Sequence, residues 1–338
     1  MRAIVEFAEY RKFSFLFIVF LYRNKSIEDV LTASRAPSTG MKYNRSISKW
    51  KVWCSDHKVC ALPADHHDLG DYYMALFNAG APYSRIETAQ YAIKWFHDCS
   101  PCTEVNPCDS SFIKQVLAGL RRITAKPISK KDPVTPEILS RIVNIYGFSD
   151  NLMNIRLCTM TLIAYAGFFR HSELVNLRIC DVFLSSSHVK FFIHQSKTDQ
   201  YREGAWVVIA ATGRSTCPVA MLNRYLVLAC ISPHSHSEDF LFRPVVFKSI
   251  NNYVLRQGRM SYSSCRDLFK RALVEIGEDP SRFGMHSLRA GGASEAARVG
   301  IPDRLFKKHG RWASDSAKDG YVKESLTNQL TVSMSLGI

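Results

Sequence analysis

From Ser26 to about Lys126 the apolar residues recur at helical intervals. Tyr43, Ile47, Trp50 and Trp53 follow one another at steps of four, three and three, which predicts a helix over Thr39–Cys54 with one apolar face. A second helix is predicted over Asp68–Gly80, with Leu69, Tyr72, Tyr73, Leu76 and Phe77 apolar. A third runs over Ser84–His97, with Ile86, Ala89, Ile93 and Phe96 on one stripe. A fourth covers Ser110–Ile123, with Ser110 and Ser111 as candidate N-caps. Pro63, Pro82, Pro101 and Pro107 fall between these segments, where proline punctuates. The pattern predicts a compact helical domain.

The second half is mixed. Leu157–Phe169 is an apolar helix that continues, after a turn, over Ser172–Leu177. The β-rich runs Val189–His194 and Ala205–Ala210 flank the polar stretch Lys197–Gly204 and predict a hairpin. Further helices are predicted over Pro218–Ala229, over Ser261–Ile276 with Gly277 as its stop, and over His286–Val299 with Gly300 as its cap. A last one begins near Ser314. Between the halves, Lys126–Pro136 is rich in proline and polar residues and reads as a linker. The expected organisation is an extension at residues 1–25, a helical domain at 26–126 and an α+β domain at 127–338. The fold class is mainly α with a small antiparallel β-sheet.

Composition narrows the function. The 338 residues are 46% apolar and 22% charged, which excludes a mainly disordered chain, a collagen and a multi-span membrane protein. Lys and Arg number 44 against 30 Asp and Glu, a formal charge of +14 that favours a polyanionic partner, nucleic acid ahead of a membrane surface. Part of the excess is one-sided: Lys114, Arg121, Arg122, Lys126, Lys130 and Lys131 succeed one another with no acidic residue between them, as a segment lying along phosphates requires. The ten cysteines form no dense framework and fit a reducing compartment; Cys158, Cys180, Cys230 and Cys265 read as small buried hydrophobes. The apolar run Phe13–Tyr22 is too short to span a bilayer and lacks a following cleavage site, so it reads as an appended segment rather than a signal or anchor.

Five segments of the second half hold polar residues where packing does not ask for them. They are Arg170-His-Ser-Glu173 after the apolar helix, Ser196-Lys197-Thr-Asp199 at the hairpin tip, His286-Ser-Leu-Arg289-Ala-Gly-Gly292, Lys308-His309-Gly-Arg-Trp312, and Asp319-Gly320-Tyr321. Taken singly, each has an ordinary explanation: an arginine snorkelling to water, a solvated turn lysine, a helix-face pair. The glycines after Arg289 would let another backbone, or DNA, approach closely. In order, however, the set is specific. Arg, Lys on a hairpin, His-x-x-Arg, then Trp and a Tyr nine residues later resemble the tyrosine recombinase (phage integrase) family. The Arg-Ala-Gly-Gly and Gly-Arg-Trp stretches are similar in style to recombinases of eukaryotic mobile elements of the Crypton and DIRS types. The likeness covers Pro127 to about Ser325 by motif, and the preceding helices look like the family's SAM-like core-binding domain.

That resemblance implies a site-specific DNA recombinase that breaks and rejoins double-stranded DNA through a 3′-phosphotyrosine, with no metal, cofactor or ATP. Tyr321 would be the nucleophile, Arg170 and Arg289 the bidentate phosphate clamps, and Lys197 the acid for the leaving 5′ oxygen. His286 would bond the phosphate and Trp312 would add an indole donor. Glu173 would orient Arg170, and His309, twelve residues before Tyr321, would be a neighbour of the site. It further implies a homotetramer on DNA from a monomer or dimer when free, with Leu326–Leu336 as the exchanged tail, and the nucleus as location. Gly320 beside the nucleophile departs from the family's usual pattern; it would either free the tyrosine to swing or mark decay of the site. Two other readings use the same residues: a topoisomerase-IB-like nicking and rejoining enzyme, and a domesticated inactive DNA-binding protein. Cys54-x-x-His57-x-x-Cys60 and Cys99-x-x-Cys102 with Cys108 read as ordinary helical-domain residues rather than a zinc site.

Overall fold

The computed structural model describes residues 26–100, 105–127, 129–197, 199, 201–232, 235–249, 252–324 and 326–337. The apolar run Phe13–Tyr22, with the whole extension at 1–25, and Cys102 lie outside the described residues. The chain divides into two compact units, the division falling between Ile128 and Ser129. Among the described residues, no helix is long and apolar enough to cross a membrane.

The first unit is all helical: α1 (Ile27–Ala33), α2 (Pro37–His57), α3 (His66–Asn78), α4 (Tyr83–Asp98) and α5 (Ser111–Ile123), with a 3-10 turn at Pro107–Asp109. Trp50, Leu69, Tyr73, Ile86, Ile93 and Ile113 are buried to the last few per cent and form its core. Ser110 caps α5 by accepting the Ile113 N–H. α1, which the periodicity does not announce, opens on a capping box between Ser26 and Asp29 and leaves Ile27 and Val30 exposed. Its formation is local rather than driven by burial.

The second unit is built around α7 (Leu152–Ala166), which is buried along nearly its whole length. Asn151 caps it by accepting the Met153 N–H, so the helix starts ahead of the predicted Leu157. It stops at Ala166, short of the predicted Phe169, because Phe168 takes a left-handed backbone with φ 48°. α6 (Pro136–Tyr146), a helix the hydrophobic pattern does not announce, packs on it through Ile138, Leu139, Ile142 and Val143. After the short α8 (His171–Val175) comes an antiparallel sheet of β1 (Val182–Leu184), β2 (His188–Ile193) and β3 (Ala205–Ala210), in that spatial order. β2 and β3 pair from His188 with Ala210 to Ile193 with Ala205, so Val189, Phe191, Ile193, Val207 and Ile209 face the core.

Then follow α9 (Pro218–Leu228), the hairpin β4 (Val245–Ser249) and β5 (Asn252–Leu255), and α10 (Tyr262–Glu275). The C-terminal run is α11 (His286–Arg298), α12 (Asp303–Gly310), α13 (Asp315–Asp319) and α14 (Leu326–Met334). The helix predicted from Ser314 is thus only α13, with Ser314 as its cap, and α12, which the pattern does not announce, begins after Pro302. Proline there serves as the N-cap. Cys158 and Cys265 are buried as read; Cys180 is half-buried, and Cys230 is exposed because a left-handed residue after α9 (φ 53°) swings its side chain outward.

Candidate active site

Glu173 is the centre of the charge network. It lies in α8, three residues after Arg170, so one turn brings its carboxylate back to both the Arg170 backbone N–H (3.0 Å) and guanidinium (2.6 Å). A second guanidinium, Arg311, reaches its carboxylate at 2.9 Å from the turn that follows α12. With the side chain 1% exposed, burial alone would raise the carboxyl pKa; Arg311 and Arg170 outweigh it and hold the group below its ordinary value.

Arg289 lies one turn into α11 and is 0% exposed. Its guanidinium donates to the carbonyls of Phe168 and Gly310 and lies under two aromatic rings, Trp312 at 4.6 Å and Tyr321 at 4.9 Å from the ring centroids. The two rings are themselves 5.7 Å apart. Burial and then the neighbouring Arg170 and Arg311 lower the Arg289 pKa. The indole N–H of Trp312, expected as a donor to the phosphate, is buried and has no partner among the described residues. Its ring also packs on Arg289 and Tyr321.

His286 opens α11 on the same helix face as Arg289. Burial, then the positive charges of Arg289, Arg170 and Lys197, lower its pKa below the ordinary imidazole value. Lys197 itself is exposed, in the loop between β2 and β3. Asp199 organises that loop by accepting the N–H groups of Glu203 (3.0 Å) and Gly204 (2.9 Å), which explains the Lys-x-Asp spacing. His309 is no member of the stack: its Nε2 donates to the Ala166 carbonyl at 2.8 Å and its ring meets Phe168 edge-on.

The structure thus joins Arg170, Glu173, Arg289, Trp312 and Tyr321 into one cluster and sets His286 and Lys197 within electrostatic reach. Lys114, Arg121 and Arg122 are exposed on α5, Lys126 and Lys130 are exposed in coil, and Lys131 donates to the Ser281 carbonyl. No group of three or more His, Cys, Asp or Glu that could hold a metal ion occurs among the described residues.

Glycines explain how the elements come so close. A Cβ on Gly291 would lie 2.0 Å from the Val134 carbonyl oxygen, and one on Gly292 would lie 2.2 Å from that of Tyr165. Of the two uses open to these glycines, they therefore serve the approach of backbone. Gly310 leaves room for the Trp312 ring, which a Cβ would meet at 1.7 Å. Gly320 is different: its backbone is right-handed (φ −58°) and a Cβ would meet nothing closer than 3.4 Å. Neither strain nor crowding demands glycine beside Tyr321.

The profile of the phage integrase family matches residues 138–327, a span that contains every residue of this cluster. The chain belongs to that family. Among phage-integrase-type relatives, it is 26% identical to the integrase/recombinase xerD homolog of Selenomonas ruminantium over 296 residues, 87% of this chain and 84% of that one. It is 21% identical to the recombinase cre of Escherichia phage P1 over 292 residues, 81% and 80% of the two chains. The XerH site-specific recombinase, solved bound to its difH substrate, shares the fold with a TM-score of 0.56 at 15% identity, over 89% of this chain and 78% of that one. In sequence order the start of α8, the β2–β3 loop, the start of α11, the α12–α13 turn and the residues after α13 each contribute one motif. Arg311 is the residue that sequence reasoning misses. It stands in the chain only as one more arginine between Gly310 and Trp312, and spacing carries no sign that a side chain turns inward.

Proposed function

We propose that this chain is a site-specific recombinase that cuts and rejoins double-stranded DNA through a 3′-phosphotyrosine at Tyr321. The observation that carries the reading is the stack of Tyr321 and Trp312 on the fully buried guanidinium of Arg289. It keeps a phenol beside a fixed, two-pronged cation, as attack on a phosphodiester requires.

In the proposed step the Tyr321 oxygen forms a bond to phosphorus and the bond from phosphorus to the 5′ oxygen breaks. His286, kept neutral by burial and by the cations around it, takes the phenol's proton. Lys197 delivers a proton to the departing 5′ oxygen. Arg170 and Arg289 neutralise the non-bridging oxygens, so side chains supply the charge compensation. Rejoining runs the step backwards with a 5′-hydroxyl as nucleophile. The helical unit and the basic run from Lys114 to Lys131 hold the duplex by its phosphates. That XerH is solved on its difH substrate supports a DNA substrate here. In this reading four copies act on two duplexes in the nucleus.

The test uses nicked suicide duplexes randomised around the nick, incubated with the full chain and resolved in SDS. The wild type should form a covalent protein–DNA adduct and Tyr321→Phe should form none. An adduct that persists in Tyr321→Phe removes the nucleophile assignment; a wild type that binds the duplexes without any adduct points to the DNA-binding-only reading. Relaxation of supercoils without partner exchange would select the topoisomerase-like alternative.

A further inference from the structure

We infer that Arg311 is a positioning residue of this site: it holds both phosphate-clamping arginines in register without touching the phosphate. The inference rests on the phosphotyrosine reading and extends it to a residue that the reading does not need.

Arg311 is built in at a cost. Its backbone is left-handed, φ 55°, a conformation that is strained for a residue other than glycine. Its guanidinium is taken almost wholly out of water, with the side chain 7% exposed. What it makes there is specific. One nitrogen donates to the carbonyls of Gly167 (3.1 Å) and His309 (2.8 Å), and the other to Phe168 (2.8 Å) and to Glu173 (2.9 Å).

Two of these acceptors lead straight to the clamps. Glu173 is the carboxylate that fixes Arg170, and Arg311 joins Arg170 in keeping it ionised against burial. The Phe168 carbonyl is also the acceptor for Arg289. Phe168 is itself left-handed, so two non-glycine residues in that conformation face each other across one hydrogen bond. Strain of this kind persists only where the surroundings over-determine it. One planar fork therefore sets the distance between Arg170 and Arg289. Lysine, with a single point of charge, cannot span the four acceptors.

The flanking residues complete the device. Gly310 gives its carbonyl to Arg289 and its space to the Trp312 ring, and that ring packs on the Arg289 guanidinium. Arg311 stands between them in the chain, with its guanidinium over the Phe169 ring at 5.2 Å.

Two variants separate the guanidinium from the backbone. Arg311→Gly suits the left-handed position and removes the cation; Arg311→Lys keeps the charge and loses the fork. DNA affinity, the rate of adduct formation at saturating suicide DNA, and the pH dependence of that rate are measured on each. Both variants should bind DNA within about twofold of wild type while the adduct rate falls roughly 10- to 100-fold, the scale of a misplaced reacting group. In Arg311→Gly the acid limb of the rate should move to higher pH, since burial then raises the Glu173 carboxyl with less opposition, and guanidinium ion added to the buffer should restore rate. Variants that keep the wild-type rate and acid limb overturn the inference, as does a loss of melting temperature with the rate unchanged. A wild type that forms no adduct overturns the phosphotyrosine reading and takes the inference with it.

Discussion

The cations of α5 and those around Glu173 obey different physics. Lys114, Arg121 and Arg122 stand in water on a helix surface, where their charge is screened and their side chains are free to move. Arg170, Arg289 and Arg311 are buried to 10% or less of side-chain or residue exposure, and two of the three share one buried carboxylate. Exposed charge costs little to fold, acts at long range and carries no geometry. Buried charge is expensive to desolvate and is tolerated where hydrogen bonds fix its prongs. One population is suited to holding a polyanion, the other to orienting a single phosphate within it.

The contrast can be tested from its strongest side first. Arg289→Lys should lower the adduct rate by about 10²–10³, the usual loss for one oriented donor, while DNA affinity stays near wild type. Gel-resolved single-turnover kinetics checks this; an equal fall in affinity would mean that the buried arginine acts as bulk charge. Glu173→Gln should destabilise the second unit by roughly 3–5 kcal/mol, because it leaves two buried guanidiniums without their counter-charge. Denaturant unfolding measures it, and a loss below about 1 kcal/mol would place the pair among weak surface bridges.

The exposed population should give the opposite signature. Binding should weaken with salt along a log–log slope of about −5 to −9 if roughly six to ten phosphates are neutralised. Changing Arg121, Arg122 and Lys126 to Gln should flatten that slope by about one for each phosphate no longer neutralised, with the adduct rate at saturation unchanged. A slope that does not move would detach the run from DNA binding.

The smallest effect concerns pH. His171, His286 and His309 all have pKa values lowered from 6.5, with burial as the largest cause. The unfolded chain therefore takes up protons near pH 6.5 that the folded chain refuses. Stability is fully present above that pH and should fall as the pH drops through it towards the lowered folded values. A melting temperature that is flat from about pH 7.5 to about pH 5.5 would contradict this.

Much of the site is legible in the sequence because the chemistry demands residue types that packing does not. Arg170, His286, Arg289 and Tyr321 stand out for that reason, and the apolar steps of Tyr43, Ile47, Trp50 and Trp53 mark α2 equally well. The illegible parts depend on distant partners. α6 offers only a short apolar stripe after a proline-rich stretch, and its helix is secured by packing on α7. α12 is likewise unannounced in the pattern, and Pro302 precedes it as the N-cap. Trp312 presents the face of its ring to Arg289, and the order of residues along a chain says nothing about which side of a ring is used.

The glycine pair at 291 and 292 sets a tolerance for the whole machine. α11 carries His286 and Arg289 on one rigid rod, and at the glycine pair that rod rests on carbonyl oxygens of two other segments as well as on the rings of Tyr165 and Phe168. Side chains can rotate out of the way; a backbone seat cannot. A single methyl at Gly291, 2.0 Å from the Val134 oxygen, would need the rod or its seat to shift, and the rod would pass that shift on to both residues at once. Displacement of about an ångström is enough to cost about a hundredfold in rate. The fit of a featureless strip of backbone thus governs how much variation the placement of His286 and Arg289 can withstand.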